Sequence, residues 1–278
     1  SVPAQPTPPE TPPPPEPGYL ELLAARPDQN VAAPPAPGGI LIILDASGSM
    51  LQRLDGVRRI EIAKQTLTAL TGGTIPPGTM LGLRVFGQGP PESCETELVL
   101  PPQPLEPAAI AEVIAGVQPT NLARTPIGES LRSVPQDMAG VTGPQLVVLV
   151  TDGEETCDGD PAAEIAALRS LGIDVRVNIV GFALDDPALA ETFSAWAALG
   201  GGRYFDASDA ASLGEALVRA VQRRFTIENH RGRVVASGAI GDPAVALEPG
   251  TYTVRVDGGR PIRVTIPPGE TVTLAGPY

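Results

Sequence analysis

Histidine, lysine and cysteine are scarce in this 278-residue chain, and each scarcity removes a class of chemistry. One histidine, His230, rules out His-rich zinc sites and makes a Ser/His/Asp hydrolase hang on a single residue. It falls in a predicted hairpin turn, where a solvated role is the ordinary one. One lysine, Lys64, is the sole candidate for Schiff-base chemistry, and it sits on a predicted helix as a solvated charge. No stretch approaches the roughly 18 uninterrupted apolar residues of a membrane-spanning helix. Nineteen basic residues against 32 acidic ones leave a formal charge of −13, which would repel a phosphate backbone, so nucleic-acid binding is disfavoured. No G-x-x-x-x-G-K-[ST] occurs, and Gly200-Gly201-Gly202 precedes a strand instead of opening a helix, which excludes a phosphate loop.

Proline is abundant but unevenly placed: residues 1–37 hold 13 of the 33 prolines. They read as an extended Pro-rich linker, suited to a tether that holds a domain away from a membrane or wall, with a disordered leader as the alternative. The chain opens on Ser1 with no methionine or signal sequence, the expectation for a processed or trimmed product.

From Gly38 short apolar runs alternate with helical patterns, which predicts an α/β domain over 38–224 with a doubly wound, mainly parallel six-stranded sheet. Strands are expected at Ile40–Leu44, Met80–Phe86, Glu97–Leu100, Gln145–Val150, Val175–Val180 and Gly202–Phe205. Helices are expected at Arg59–Leu70, Ala108–Ala115, Pro126–Met138, Pro161–Leu171, Pro187–Leu199 and Leu213–Arg223. Asp160-Pro161 and Asp186-Pro187 place a capping acid before a first-turn proline, and Ser212 with Glu215 forms a capping box. After Arg223 the period switches to two, with turns at Arg231-Gly232, Pro249-Gly250 and Pro267-Pro268-Gly269, predicting a small all-β sandwich over 225–278. That segment holds five acids and five bases, so the net charge resides in residues 1–224.

The first strand of the α/β region runs into Asp45-Ala46-Ser47-Gly48-Ser49, and the fourth ends in Thr151-Asp152-Gly153. In a doubly wound sheet, ligands bind outside the carboxyl ends of the strands where strand order reverses, so Asp45 and Asp152 are expected to face one pocket. Thr125, at an apparent helix start, can add a third contribution. Carboxylates and hydroxyls without sulfur or imidazole are hard oxygen donors, suited to Mg²⁺, Mn²⁺ or Ca²⁺. A haloacid-type phosphotransferase would want a second carboxylate where Ser47 stands. The five acids from Asp152 to Asp160 lack EF-hand spacing and read mainly as a solvated loop.

Asp45-x-Ser47-x-Ser49, Thr125 and Thr151-Asp152-Gly153 together resemble the metal-ion-dependent adhesion site of von Willebrand factor type A domains, over roughly Gly38 to Arg223. Thr151-Asp-Gly-Glu-Glu-Thr-Cys157 and Val175-Arg-Val-Asn-Ile-Val-Gly-Phe182 are similar to bacterial extracytoplasmic members. The resemblance implies a divalent cation held by Asp45, Ser47, Ser49, Thr125 and Asp152, with an open position that a partner's Asp or Glu carboxylate fills. It implies a protein-binding module without catalysis, since the pocket pairs no nucleophile with a base. A structural envelope protein with a purely structural metal, or a recruitment subunit of an enzyme complex, are the competing readings. Leu247-Glu-Pro-Gly-Thr-Tyr-Thr-Val loosely resembles prealbumin-like sandwiches, for which a spacer role is the expectation.

Cys94 and Cys157 are the only cysteines. Their loops should emerge from one edge of the sheet about two strand spacings apart, so a disulfide is expected, which would imply an oxidising compartment, with two unrelated buried thiols as the alternative.

Overall fold

A computed structural model describes residues 15–23, 38–76, 78–172 and 174–276. The chain divides into two compact units: Pro34–Gln222, and a second that combines residues 1–33 with 223–278.

The first strand, β1 (Gly18–Leu23), belongs to the second unit. The first unit begins at β2 (Gly39–Asp45) and continues through a short hairpin of β3 (Arg53–Leu54) and β4 (Val57–Arg58) into α1 (Arg59–Gly73). Then come β5 (Met80–Phe86), β6 (Thr96–Pro104), α2 (Pro107–Gly116), α3 (Ile127–Arg132) and α4 (Val134–Asp137). The unit finishes with β7 (Gln145–Thr151), α5 (Pro161–Ser170), β8 (Val175–Phe182), α6 (Pro187–Leu199), β9 (Tyr204–Ala207) and α7 (Ala210–Val221). Six strands form one sheet in the order β6-β5-β2-β7-β8-β9. All pairings are parallel except β5 with β6, which is antiparallel and carries register shifts.

Every residue of β2 and of β7 is buried, as a central strand covered on both faces requires. Their side chains divide by the period of two. Ile40, Ile42, Leu44, Val148 and Val150 join one apolar cluster with α1, α2 and α7. Leu41, Ile43, Val147 and Leu149 join another with α3, α5 and α6. Strand order reverses where β2 lies between β5 and β7, so the carboxyl ends of β2 and β7 adjoin at the switch point.

Two helical expectations are corrected. The single helix expected at Pro126–Met138 is two, α3 and α4, meeting at Ser133. Pro135 has no N–H to donate inside a continuous helix, whereas it is tolerated in the first turn of a new one. The capping residue of α7 is Asp209, which accepts from the Ser212 backbone N–H at 2.8 Å. Ser212 takes the reciprocal third position of that box, because the helix starts three residues earlier than the periodicity indicates.

In the second unit, β10 (Arg224–Glu228), β11 (Val234–Ala239), β12 (Val245–Leu247), β13 (Gly250–Val256), β14 (Ile262–Ile266) and β15 (Thr271–Ala275) complete the chain. They form a four-stranded sheet, β11-β10-β13-β14, and a three-stranded one, β12-β1-β15. Residues 18–23 therefore do not belong to a linker. β1 pairs in parallel with β15 and antiparallel with β12, and its inward Leu20 and Leu22 share a cluster with Phe225, Val254 and Ile266. Leu20 and Leu22 gain burial that an isolated Pro-flanked segment could not provide, which overrides the local composition. The rest of the expected linker, residues 1–14 and 24–37, lies outside the described residues.

Candidate functional site

Asp45 is the last residue of β2, buried, and its Oδ1 accepts the backbone N–H of Ser47 at 2.7 Å. That short turn lifts the chain off the sheet into a 3-10 turn over Gly48–Leu51, anchored by the fully buried Met50. The turn aims two hydroxyls back toward the strand ends: Ser47 Oγ and Ser49 Oγ lie 3.0 Å apart, and Ser49 Oγ donates to Asp152 Oδ1 at 2.6 Å. Thr151, the last residue of β7, donates from Oγ1 to Asp45 Oδ2 at 2.6 Å. Asp45, Ser47, Ser49, Thr151 and Asp152 thus form one hydrogen-bonded set at the switch point.

Glycine makes the approach of the loops possible. Gly87, just after β5, has φ +86°, and a Cβ there would lie 2.2 Å from the Ser47 nitrogen. Both its conformation and its surroundings demand glycine. Gly48 donates to the Ala123 carbonyl at 3.2 Å, and a Cβ on it would lie 2.9 Å from the Leu122 nitrogen. Through that bond the loop bearing Thr125 is drawn against the β2 loop.

Thr125 is buried before α3, and among the described residues its hydrogen bonds run to Thr156 and Ile127, outside the Asp45 set. Its backbone N–H donates to Thr156 Oγ1 at 2.7 Å, and its carbonyl accepts from the Thr156 N–H at 3.1 Å. Glu155 braces the same loop by accepting from the Gly128 N–H at 2.7 Å and the Cys157 N–H at 2.6 Å. Cys157 is bonded to Cys94 with a Cα–Cα distance of 5.8 Å. The Asp152 loop is therefore clamped to Thr125 by hydrogen bonds and to the loop after β5 covalently.

Electrostatics are dominated by burial. Removal from water pushes the Asp45 carboxyl up to about 7, and the neighbouring Asp152 charge adds to the rise, against hydrogen bonds from Ser47 and Thr151. Burial also raises Asp152, opposed by the Ser49 hydroxyl and by Arg59. Arg59, the first residue of α1, is buried, and its guanidinium donates to Asp152 Oδ2 at 3.0 Å.

Arg59 was not legible as a site residue: Arg58-Arg59 offers two candidates, and nothing local says which one enters the fold. Thr151 was legible only as a motif neighbour, and Glu155 only as one of five acids in a loop. Gly87 carries no signal beyond being a glycine after a strand.

The donors here are oxygen atoms alone. Among the described residues no three His, Cys, Asp or Glu side chains gather as a metal-binding group. A cation at this place would need hydroxyl oxygens beside Asp45 and Asp152, and Ser47 and Ser49 present them in hydrogen-bonding range. The chemistry of this donor set fits a hard divalent cation and does not fit a soft one.

A family model described as von Willebrand factor type A domain matches residues 40–155. The chain is 35% identical over 216 residues to the uncharacterized protein YwmD of Bacillus subtilis (strain 168), spanning 74% of this chain and 94% of that protein. It is 32% identical over 182 residues to the uncharacterized protein YwmC of the same organism, spanning 62% and 78%. Among solved structures, a von Willebrand factor type A protein from Catenulispora acidiphila superposes with a TM-score of 0.53 at 15% identity, over 94% of this chain and 76% of that one. Proximal thread matrix protein 1 from the mussel byssus, solved with a zinc-occupied MIDAS motif, superposes with a TM-score of 0.53 at 18% identity, over 66% and 45%. At those identities the likeness is one of fold. The matching family model and the identity to YwmD along nearly its whole length agree with the observed sheet, and the chain belongs to the von Willebrand factor type A domain family.

Proposed function

We propose that this protein is a divalent-metal-dependent protein-binding module that works outside the cytoplasm. Type A domains generally serve as protein-interaction modules. The observation that carries the metal reading is the convergence of Asp45, Ser47, Ser49 and Asp152 oxygens at the switch point of the sheet. These four, with Thr125 from the neighbouring loop, would hold Mg²⁺, Mn²⁺ or Ca²⁺, directly or through water. The bound cation would supply a Lewis-acidic position for an Asp or Glu carboxylate of a partner. Like-charge repulsion from residues 38–224, with 23 acids against 13 bases, favours a single carboxylate set in a neutral or basic surface over an acidic cluster. No catalytic step is assigned, because the site pairs no nucleophile with a base.

The disulfide that pairs both cysteines supports an oxidising compartment. The second unit, whose two sheets share one apolar cluster, reads as a sandwich with a spacer role. No described helix is long and apolar enough to cross a membrane.

Calorimetric titration with Mg²⁺ and Mn²⁺ tests the metal, with Asp45→Ala expected to abolish the binding heat. Capture from an envelope extract, in Mg²⁺ and in chelator, tests the partner. Retention that survives both chelator and Asp45→Ala would place the interface elsewhere and reduce any metal to a loop staple.

A further inference from the structure

Resting on the metal reading above, we infer that Arg59 is a tethered cation that competes with the divalent metal for Asp152 and so sets how tightly the site binds it. Arg59 is a positioning residue in this account and touches neither metal nor partner.

Both oxygens of Asp152 are engaged. Oδ1 accepts from Ser49, and Oδ2 takes the Arg59 guanidinium at 3.0 Å, with the arginine side chain only 10% exposed. A divalent ion drawing on Asp152 must either displace the guanidinium or share the carboxylate with a like charge at close range. Each raises the free energy of the loaded site.

The arginine is poorly seated where it is. Its Nε is buried and has no hydrogen-bond partner among the described residues, so the guanidinium has given up water without full replacement. A purely structural arginine at this depth would be expected to use its whole fork. A second carboxylate stands within reach: Arg59 Nη2 lies 3.9 Å from Asp185 Oδ2, whose side chain is 96% exposed. Asp185 lies in the loop between β8 and α6, so the guanidinium can leave Asp152 for an acid that no other described ion pair uses. In the metal-free site Arg59 then offsets the Asp152 charge from within, and the loaded site releases Arg59 toward Asp185.

The test is calorimetric titration of the full chain, stripped with chelator and exchanged free of it, with Mg²⁺ and with Mn²⁺. Arg59→Met removes the charge while keeping much of the apolar stem, and should bind at least tenfold more tightly than wild type. Arg59→Lys retains the charge and should stay within about threefold. Asp185→Asn removes the second anchor and should weaken binding about threefold. If wild type binds and Arg59→Met binds equally or more weakly, the arginine orders Asp152 instead of competing for it. The inference then falls while the metal reading stands. Tenfold tightening in Arg59→Lys as well would overturn the charge argument, and an unchanged Asp185→Asn would overturn the second anchor. Absence of binding heat in both wild type and Arg59→Met removes the metal reading and this inference together. Binding by Arg59→Met alone supports the inference in its strongest form. Should Arg59→Met fail to fold by circular dichroism, Arg59→Gln takes its place with the same two outcomes.

Discussion

Among the described residues of the α/β unit, the buried pairs Arg84–Asp137 and Arg59–Asp152 are built differently. Arg84, on β5, meets Asp137 at the end of α4 through two bonds, Nε to Oδ2 at 2.6 Å and Nη2 to Oδ1 at 2.7 Å. Its third nitrogen donates to Thr96 Oγ1 at 3.2 Å. Arg59 meets Asp152 through a single bond at 3.0 Å and leaves its Nε without a partner. The first pair staples a helix to a strand, with its polar atoms satisfied and both side chains nearly sealed from water. The second is buried to the same degree but sits among the Asp45 carboxylate and the Ser47 and Ser49 hydroxyls at the switch point. A buried ion pair offsets its desolvation only when its geometry is complete. The incomplete pair is therefore the one to examine for function, and the complete one for stability.

The largest expected effect falls on the complete pair. Asp137→Ala strands the Arg84 guanidinium in the interior and should cost about 3–5 kcal/mol of unfolding free energy, read by urea or thermal unfolding. A cost near that of a surface pair would erase the distinction between the two sites. Next comes the covalent brace of the Asp152 side. Replacing both Cys94 and Cys157 by serine releases a bridge of sequence separation 63 and should lower stability by roughly 2–4 kcal/mol in the same measurement. A stability equal to wild type would mean that the Thr156 and Glu155 hydrogen bonds hold the loop unaided. Thr96→Val takes one leg from Arg84 and leaves the bidentate contact, for an expected loss of about 1 kcal/mol. The smallest effect belongs to Arg59→Met. In chelator it should remain within about 1 kcal/mol of wild type, because the Asp152 carboxyl, which burial already raises, can shed its stranded charge by taking up a proton, as the Arg84 guanidinium cannot. A loss as large as that of Asp137→Ala would make Arg59 a structural staple of the same kind as Arg84.

Much of this arrangement is legible in the sequence. The apolar runs of β2 and β7 end in Asp45 and in Thr151-Asp152, so the strand periodicity alone brings oxygen side chains to the carboxyl edge. Asp160 and Asp186 cap α5 and α6 as their Asp-Pro pairs indicate, each accepting from a backbone N–H of the first turn. Two prolines were less transparent. Pro126 reads as a helix start and precedes one, whereas Pro135, inside the single helix expected over Pro126–Met138, stands in the first turn of α4. Residues 18–23 were hidden by the prolines around them, since six residues of alternating burial carry little weight beside a Pro-rich composition.

The sequence by itself determined which residues could carry the chemistry: an alternation of strand and helix, and hard oxygen donors at two strand ends. Those are local properties, set by side-chain period, by capping chemistry and by carboxylates and hydroxyls, without imidazole, at the two strand ends. Only the tertiary structure decided that Arg59 and not Arg58 enters the site, that Thr151 bonds Asp45, and that β1 pairs with β15 some 250 residues away. Such pairings depend on which surfaces meet once each unit has packed its own sheets. A guanidinium at the start of one helix and a carboxylate 93 residues later share no local pattern that would announce them.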